Sequence, residues 1–169
     1  MGDLANDMLL WYDKNHRDLP WRHSKNPYTI WISEIMLQQT RVEAVKGYYA
    51  RFLERLPDVQ ALAEVKEQEL MKLWQGLGYY NRARNLKKAA QMIMTQYSGV
   101  FPDTYEELLK LPGIGEYTAG AIASIAFGRS VPAVDGNVYR IYTRLMAQKD
   151  DIMQNAVRKA IRNEIAGML

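Results

Sequence analysis

The stretch LPGIGEYTAG, from Leu111 to Gly120, has two glycines two residues apart, a proline ahead of them and a good helix start directly behind. Glycines at such a turn permit a tight reversal and expose backbone N–H groups at a helix N-terminus, where they can hold a phosphate oxygen. The pattern predicts two helices joined by a tight hairpin, with Gly113 and Gly115 as phosphate-binding residues. The alternative is an ordinary helix–helix turn, since glycine and proline punctuate any such connection.

The rest of the chain is also helical in pattern. Apolar residues recur at helical spacing almost throughout, and no alternating run flanked by turn signals indicates a strand. The prediction is therefore an all-α fold. After a first helix that begins near Met8, helices are expected over residues 30–39, 42–55, 67–74, 81–97, 105–110, 117–127 and 137–147.

Composition limits the class of protein. A chain of 169 residues with 48% apolar residues can build one domain of good size or two small lobes. Its longest apolar stretch, residues 119–128, is about half of the roughly twenty residues that a membrane span needs, and no signal peptide is recognisable. We therefore expect a soluble, cytoplasmic protein without a membrane partner. The net charge of +3 is compatible with nucleic acid but does not by itself indicate it.

The segment VDGNVYR, from Val134 to Arg140, contains the first candidate acid. Asp135 stands where an N-cap would precede the predicted helix 137–147, and capping alone explains an aspartate there. A carboxylate at a helix N-terminus is also held ionised by the helix dipole and backbone donors, so it can stabilise a developing positive charge. The two roles are compatible.

The segment WISEIMLQQT, from Trp31 to Thr40, contains the second candidate acid. Glu34, Gln38 and Arg41 have the spacing i, i+4, i+7, which is also typical of a narrow polar stripe that faces water. If the stripe lines a cleft instead, the apolar neighbours would raise the pKa of Glu34. Glu34 could then carry a proton near neutral pH, as a general acid must.

A third segment, GLGYYNRARNLKK from Gly76 to Lys88, joins aromatic and basic residues. Two tyrosines follow a glycine-rich turn, and the helix behind it carries Arg82, Arg84, Lys87 and Lys88. Aromatic groups beside cations can wedge into a base stack while the cations meet phosphates. The alternative is a pair of core tyrosines beside a solvated charged face.

Five motifs together resemble the helix-hairpin-helix DNA glycosylase superfamily, and within it the A/G-specific adenine glycosylases of the MutY type. In chain order they are LPWR, WISEIMLQQTRV, GLGYYNRARNLKKAA, LPGIGEYTAGAIASIAFG and VDGNVYR, and the resemblance covers about residues 9–145. It implies a six-helix barrel over residues 27–130 and a second helical lobe, here incomplete, from residues 1–26 and 131–169. The active site would lie in the cleft between them, with Glu34 on one wall and Asp135 on the other.

The resemblance also implies a reaction. At the position of Tyr117 the endonuclease III branch has a lysine that attacks the sugar, and a tyrosine cannot form that Schiff base. Monofunctional hydrolysis of an N-glycosidic bond is therefore expected, on an adenine extruded from the duplex. Glu34 would protonate the adenine at N7 and help to activate water. Asp135 would stabilise the oxocarbenium-like sugar, and Tyr117 and Asn137 would order that side.

Further residues match the DNA-contacting positions of this family. Trp21 and Arg22 match the adenine pocket, while Gln39 and Tyr79 match residues that push into the helix around the lesion pair. The expected contacts to the DNA backbone are Gly113, Gly115, Arg82 and Lys87. The implied partner is double-stranded DNA with an A/8-oxoguanine or A/G mispair, bound by a monomer that in a bacterium would be nucleoid-associated.

The chain departs from the family in its last part. Family members usually continue into a four-cysteine [4Fe–4S] cluster and a domain that recognises 8-oxoguanine, whereas this sequence has no cysteine. No cofactor and no metal site are therefore expected in this chain, which we interpret as truncated before those segments. The apolar stripe Val157, Ile161 and Ile165 would have lost its packing partners, and the fragment would have weak or no activity.

Two other functions remain open. A mismatch-specific thymine glycosylase of the same superfamily, acting on T/G pairs, can also carry tyrosine at the hairpin site; the LPWR and LQQT matches favour adenine. The chain could instead be a DNA-binding module without chemistry, which holds the duplex through the hairpin and the basic face of residues 82–88.

Overall fold

The computed structural model describes the backbone of residues 2–169 and the side chains of residues 6–169. Within this range every regular element is a helix, and the prediction of an all-α fold is confirmed. The α-helices are α1 (Gly2–Asn15), α2 (Pro27–Leu37), α3 (Val42–Arg55), α4 (Val59–Glu64), α5 (Glu67–Trp74), α6 (Asn81–Gln96), α7 (Tyr105–Leu108), α8 (Glu116–Phe127), α9 (Gly136–Leu145) and α10 (Asn155–Ala166). A 3₁₀ helix, Pro20–Arg22, lies between α1 and α2.

The main apolar core surrounds α2, which packs against α3 and α8, while α4 packs on α6. Trp31 of α2 is fully buried, and its ring meets Phe101 edge-on with 5.4 Å between centroids. Phe52 and Trp74 form a second edge-on pair in the same core. Each such side chain contributes roughly 1.5–3 kcal/mol through burial. Neighbours cover α2 on several sides, and Glu34 is one of the few polar residues of this helix that stay partly exposed.

A smaller apolar cluster forms between α9 and α10. Ile161 is completely buried there against Tyr139 and Tyr142, with Val157 and Ile165 partly buried beside it. The expectation that the stripe 157, 161, 165 has lost its packing partners is therefore wrong, because α9 covers it.

Large apolar side chains are exposed elsewhere, on α1 and on the outer face of α9. The exposed set includes Met8, Leu9, Leu10, Trp11, Ile141 and Leu145.

The division into a barrel over 27–130 and a second lobe stays a prediction, and the core shows one departure from it. Leu19 and Trp21, which precede residue 27, are buried in the main core rather than in the smaller cluster. The smaller cluster is tied to the main one by Arg162 of α10, which donates hydrogen bonds to the Glu116 carboxylate and, at 3.3 Å, to the Tyr105 hydroxyl.

The hairpin between α7 and α8 has the predicted position, but its two glycines have different roles. Gly113 has φ +79, and a Cβ there would lie 2.8 Å from the Asn85 Cβ, so only glycine fits without strain. Gly115 has φ −95 and caps α8, and a Cβ there would meet nothing within 4 Å. Gly115 therefore exposes its backbone at the start of α8 but does not adopt a left-handed conformation. Leu111 and Ile114 anchor the turn in the core.

Some predicted helix boundaries need correction. The first helix begins at Gly2 rather than near Met8. The helix expected over 30–39 runs instead from Pro27 to Leu37, because Asn26 caps its start by accepting a hydrogen bond from the Tyr28 N–H at 2.9 Å. Gln39 lies outside it with φ 58, in a left-handed turn. The sequence prediction also missed α4, whose N-cap Asp58 accepts a hydrogen bond from the Ala61 N–H at 2.8 Å. Of the helices in the part of the chain that is described, none combines the length and apolar character needed to cross a bilayer.

Candidate active site

A cavity of about 740 Å³ opens beside α2 and α8, close to the start of α9. The predicted site residues that line it are Trp21, Arg22, Glu34, Tyr117, Asp135 and Asn137. Gln39, Tyr79 and the hairpin glycines do not line it. The residues expected to act on the extruded nucleotide are therefore brought together, and those expected to hold the duplex lie outside the cavity.

Glu34 lies on α2 between the buried residues Ser33 and Ile35 and faces the cavity. Burial raises its pKa above the ordinary carboxyl value; the Tyr117 hydroxyl lowers it in part, and the negative charge of Asp135 raises it. Gln38 lines the same cavity, so the polar stripe does not simply face water, although Arg41 is exposed. Glu34 thus has the environment that lets a carboxyl group carry a proton at higher pH than usual.

Asp135 caps α9 and lines the cavity as well. Its Oδ1 accepts a hydrogen bond from the Val138 N–H at 2.8 Å, and its Oδ2 accepts one from Asn137 Nδ2 at 3.1 Å. Asp135 therefore caps α9 as its position in the sequence predicted, and these hydrogen bonds fix the orientation of its carboxylate. Because the helix dipole favours an anion at this end, the same geometry suits a group that stabilises positive charge in the cavity.

Gly120 explains how Asp135 comes to lie near α8. A Cβ at Gly120 would lie 2.5 Å from the carbonyl oxygen of Pro132, so only glycine allows this close approach. The segment 131–135 can then run against α8, whose first turn carries Tyr117. Gly120 thus lets the segment that ends at Asp135 pack against the helix that carries Tyr117.

Tyr117 presents a phenol to both acids. Burial raises its pKa, and the nearby charges of Glu34 and Asp135 raise it further, so the hydroxyl keeps its proton and remains a donor. Among the described residues that line the cavity the cationic side chains are Arg17 and Arg22, with no lysine. A guanidinium does not serve as an amine nucleophile. None of the described residues that line the cavity therefore carries the amine that Schiff-base chemistry requires.

The outer wall of the cavity comes from the connector before α2. Trp21 is buried with its ring edge-on to Tyr49, 5.5 Å between centroids. Arg22 donates a hydrogen bond to the Arg17 carbonyl oxygen at 2.9 Å, and its guanidinium carbon lies 5.4 Å from the ring centre of Tyr12. The sequence analysis did not identify Tyr12 of α1 or Arg17 as lining residues; for Arg17 the available signal was its place just before LPWR.

The two residues expected to enter the duplex share an unusual backbone conformation. Gln39 and Tyr79 are both exposed non-glycine residues in the left-handed region, with φ 58 and φ 47. Tyr79 is 66% exposed, which excludes the alternative of a core tyrosine at this position.

Arg82 has a different role from the predicted phosphate contact. Its two terminal nitrogens donate hydrogen bonds to backbone carbonyl oxygens at the end of α2 and in the turn after α5. Because these donors are occupied within the protein, Arg82 is not available to hold DNA as predicted. Lys87 is half-buried in a separate groove that also contains Arg84 and Glu67, which are hydrogen-bonded at 3.1 Å. Its contact with DNA stays a prediction.

No metal-binding cluster was found among the described residues, in which no three His, Asp or Glu side chains come together. The [4Fe–4S] cluster that the resemblance implies does not fit this chain either. Such a cluster is held by cysteine thiolates, and the sequence contains none.

Several adenine DNA glycosylases are similar to this chain in sequence. The chain is 45% identical over 159 residues to the adenine DNA glycosylase of Buchnera aphidicola subsp. Acyrthosiphon pisum, covering 94% of this chain and 45% of that protein. It is 46% identical over 149 residues to the human adenine DNA glycosylase, covering 83% of this chain and 27% of that protein. The chain thus spans less than half the length of either relative.

Solved structures share the fold. A thermostable thymine-DNA glycosylase superposes with a TM-score of 0.84 at 29% identity, covering 96% of this chain and 76% of that one. Endonuclease III, trapped as a covalent intermediate with DNA, superposes with a TM-score of 0.79 at 27% identity, covering 97% and 74%. Residues 32–166 match the family model of the HhH-GPD superfamily base excision DNA repair proteins. That match covers most of the chain, which therefore belongs to the HhH-GPD superfamily of base excision DNA repair proteins.

Proposed function

We propose that this chain carries the catalytic centre of a monofunctional adenine DNA glycosylase, which hydrolyses the N-glycosidic bond of an adenine mispaired with 8-oxoguanine or guanine. One observation carries the proposal: Glu34 and Asp135, far apart in sequence, line the same cavity together with Tyr117. The names of the relatives that share 45% and 46% identity with the chain support adenine as the base.

The chemistry follows from the different environments of the two acids. Protonated Glu34 donates its proton to N7 of the adenine, and the C1′–N9 bond breaks with its electron pair passing to the base. The sugar becomes oxocarbenium-like, and the anionic Asp135 stabilises its charge. Water then adds to C1′ and gives up a proton to the Glu34 carboxylate, which restores the acid. Glycosidases divide labour between two carboxyl groups in the same way.

The remaining lining residues act by holding these groups and the base. Asn137 donates a hydrogen bond to Asp135 at 3.1 Å and so restrains its carboxylate. An adenine must leave the duplex to reach the cavity, whose volume of about 740 Å³ falls in the usual range for sites that enclose a small molecule. Trp21 provides an apolar wall for it, and Arg22 provides hydrogen-bond donors.

The hairpin supplies the contact to the duplex backbone in this proposal. Gly113 and Gly115 are both exposed, and α8 begins without a side-chain cap, so its first N–H groups are available to an acceptor. A DNA phosphate is the acceptor that suits such a helix N-terminus. We propose this contact without Arg82, whose two terminal nitrogens donate to carbonyl oxygens inside the protein.

A single-turnover adenine-release assay on an A/8-oxoguanine duplex tests the function. The chain is compared with Glu34→Gln and with Glu54→Gln, which changes an exposed glutamate of α3 outside the cavity. Release that Glu34→Gln abolishes and Glu54→Gln retains would support the proposal. Release that survives Glu34→Gln would refute the assigned acid, and DNA binding with no release by any of the three proteins would indicate a binding module.

A second candidate is a thymine glycosylase that acts on T/G pairs, and the superposition on a thymine-DNA glycosylase favours it. The two candidates differ in the base that the cavity accepts. Presenting A/8-oxoguanine and T/G duplexes in competition separates them, because the adenine proposal predicts release of adenine alone.

A further inference from the structure

One guanidinium joins two turns that are distant in sequence. Arg82, at the start of α6, donates from Nη1 to three carbonyl oxygens at the end of α2, those of Ile35 at 2.8 Å, Met36 at 3.2 Å and Gln38 at 2.5 Å. From Nη2 it donates to the carbonyl oxygens of Leu77 at 3.0 Å and Gly78 at 3.3 Å. Each terminal nitrogen thus serves mainly one turn.

The carbonyl oxygens at the end of α2 need partners, since the last turn of a helix has none within the helix. Arg82 supplies them, and through Nη2 it also reaches the Thr40 hydroxyl at 3.4 Å. The planar, rigid fork of arginine can reach both turns at once, whereas a lysine ammonium is a single point. One side chain therefore bridges the two turns.

Each of these turns presents one of the exposed left-handed residues. Gln39 directly follows the carbonyl of Gln38, and Tyr79 directly follows that of Gly78. This conformation is uncommon for non-glycine residues and is strained unless the surrounding structure stabilises it. The Arg82 guanidinium carbon also lies 5.7 Å from the ring centre of Tyr79 and 5.4 Å from that of Trp74, so it holds the exposed ring through its π face.

We infer that Arg82 is a positioning residue that locks the Gln39 and Tyr79 turns at a fixed separation, so that both side chains enter the duplex as one pre-formed wedge. This inference rests on the proposed function. Because α2 also carries Glu34, the same contacts fix the wedge relative to the cavity that receives the extruded base. Arg82 then acts on the DNA only through Gln39 and Tyr79 and touches neither base nor phosphate.

The test measures base extrusion directly. Duplexes carry 2-aminopurine, a fluorescent adenine analogue, opposite 8-oxoguanine, and its unstacking on binding is recorded below the melting temperature of every variant. Arg82→Met should reduce unstacking roughly tenfold or more, because small displacements of positioning groups have effects of that size. Arg82→Lys should show an intermediate loss of unstacking, because a lysine keeps the positive charge but can hydrogen-bond to only one of the two turns. Arg55→Met, which removes the ion pair between Arg55 of α3 and Glu69 of α5, is the matched control.

A double-mutant cycle separates positioning from general support of the fold. Arg82→Met is introduced into a Gln39→Ala/Tyr79→Ala background, where our account predicts almost no further loss, because the wedge is already gone. Affinity for an undamaged duplex should stay near the wild-type value in Arg82→Met.

Two results would count against the inference in different ways. If the Arg82→Met loss persists in full in the Gln39→Ala/Tyr79→Ala background, Arg82 does not act through the wedge, while the proposed function stands. If the wild-type chain binds the duplex but never unstacks 2-aminopurine, the proposed function itself is wrong and the positioning role falls with it. Should Arg82→Met not fold, the same cycle with Arg82→Lys decides the question.

Discussion

Glu34 of α2 and Asp135 at the start of α9 lie on the same cavity, and the charge of one acid affects the protonation of the other. Burial is the main cause of the raised pKa of Glu34, and the negative charge of Asp135 adds to it. Tyr117, whose hydroxyl is near Glu34, partly opposes this effect. The site therefore contains one carboxyl group that favours its proton and one carboxylate fixed by a helix N-terminus.

Glu34→Gln should change how stability depends on pH, with no DNA present. The pKa of Glu34 is raised in the folded chain above its ordinary value of 4.5. At pH values between these two pKa values the folded chain holds a proton that the unfolded chain has lost. The free energy of unfolding therefore falls as the pH rises through this window. Glutamine does not titrate, so the stability of Glu34→Gln relative to wild type should grow through the window and then level off. For every pH unit that the window spans, the difference should grow by about 1.4 kcal/mol.

Urea denaturation at a series of pH values measures this difference. Glu54→Gln, exposed on α3, controls for the general effect of removing one carboxylate. A stability difference between Glu34→Gln and wild type that does not vary with pH would mean that Glu34 is not desolvated in the folded chain.

Replacing Tyr117 by lysine should create covalent chemistry that the wild-type chain lacks. The side chain of residue 117 lines the cavity from the first turn of α8, so an amine there would face the sugar of an extruded nucleotide. Sodium borohydride should trap Tyr117→Lys on a substrate duplex as a covalent complex and should trap nothing with wild type. Trapping by the wild-type chain would contradict the monofunctional mechanism.

The two hairpin glycines should respond differently to alanine. Gly113→Ala forces a residue with a Cβ into φ +79 and against Asn85, so it should destabilise the fold by more than about 1 kcal/mol. Gly115→Ala has φ −95 and free space, so the fold should tolerate it. Thermal denaturation checks both variants, and equal destabilisation would contradict the hairpin geometry.

The cluster between α9 and α10 should contribute measurably to stability. Ile161 is fully buried, so Ile161→Ala should cost about 2–5 kcal/mol in the free energy of unfolding. Ile141→Ala, on the exposed face of α9, should change it by no more than about 0.5 kcal/mol. If chemical denaturation finds the two variants alike, α10 does not pack as described.

Local sequence signals predicted most of the fold. They suggested Glu34 and Asp135 as candidate acids, whereas the other predicted residues that line the cavity came from the family resemblance. Helical periodicity with glycine and proline breaks located nearly every helix, and the approximate position of Glu34 on an apolar helix followed from its neighbours. The short α4 was missed because six residues hold too few turns for a clear period, although Asp58 is a good N-cap.

What the sequence could not show depends on contacts between distant segments. The fate of the stripe through Ile161 was predicted wrongly because no local pattern tells whether α9 covers it. Arg82 was predicted as a phosphate contact because it belongs to a basic run, and only the fold shows that carbonyl oxygens at the end of α2 occupy its donors. The sequence shows the type of each side chain directly, whereas the residues that it contacts depend on how distant segments pack.

The pH profile of single-turnover adenine release by Asp135→Asn, compared with wild type, tests most directly whether the two acids act on one nucleotide. Asparagine caps a helix about as well as aspartate, so the fold should be retained while the negative charge is lost. We predict a rate lower by roughly 100-fold or more, as is typical when a preorganised electrostatic contact is removed. We also predict that the decline at high pH moves to lower pH, because the charge that helped raise the pKa of Glu34 is gone. An Asp135→Asn profile that superimposes on the wild-type profile in both rate and position would contradict the account.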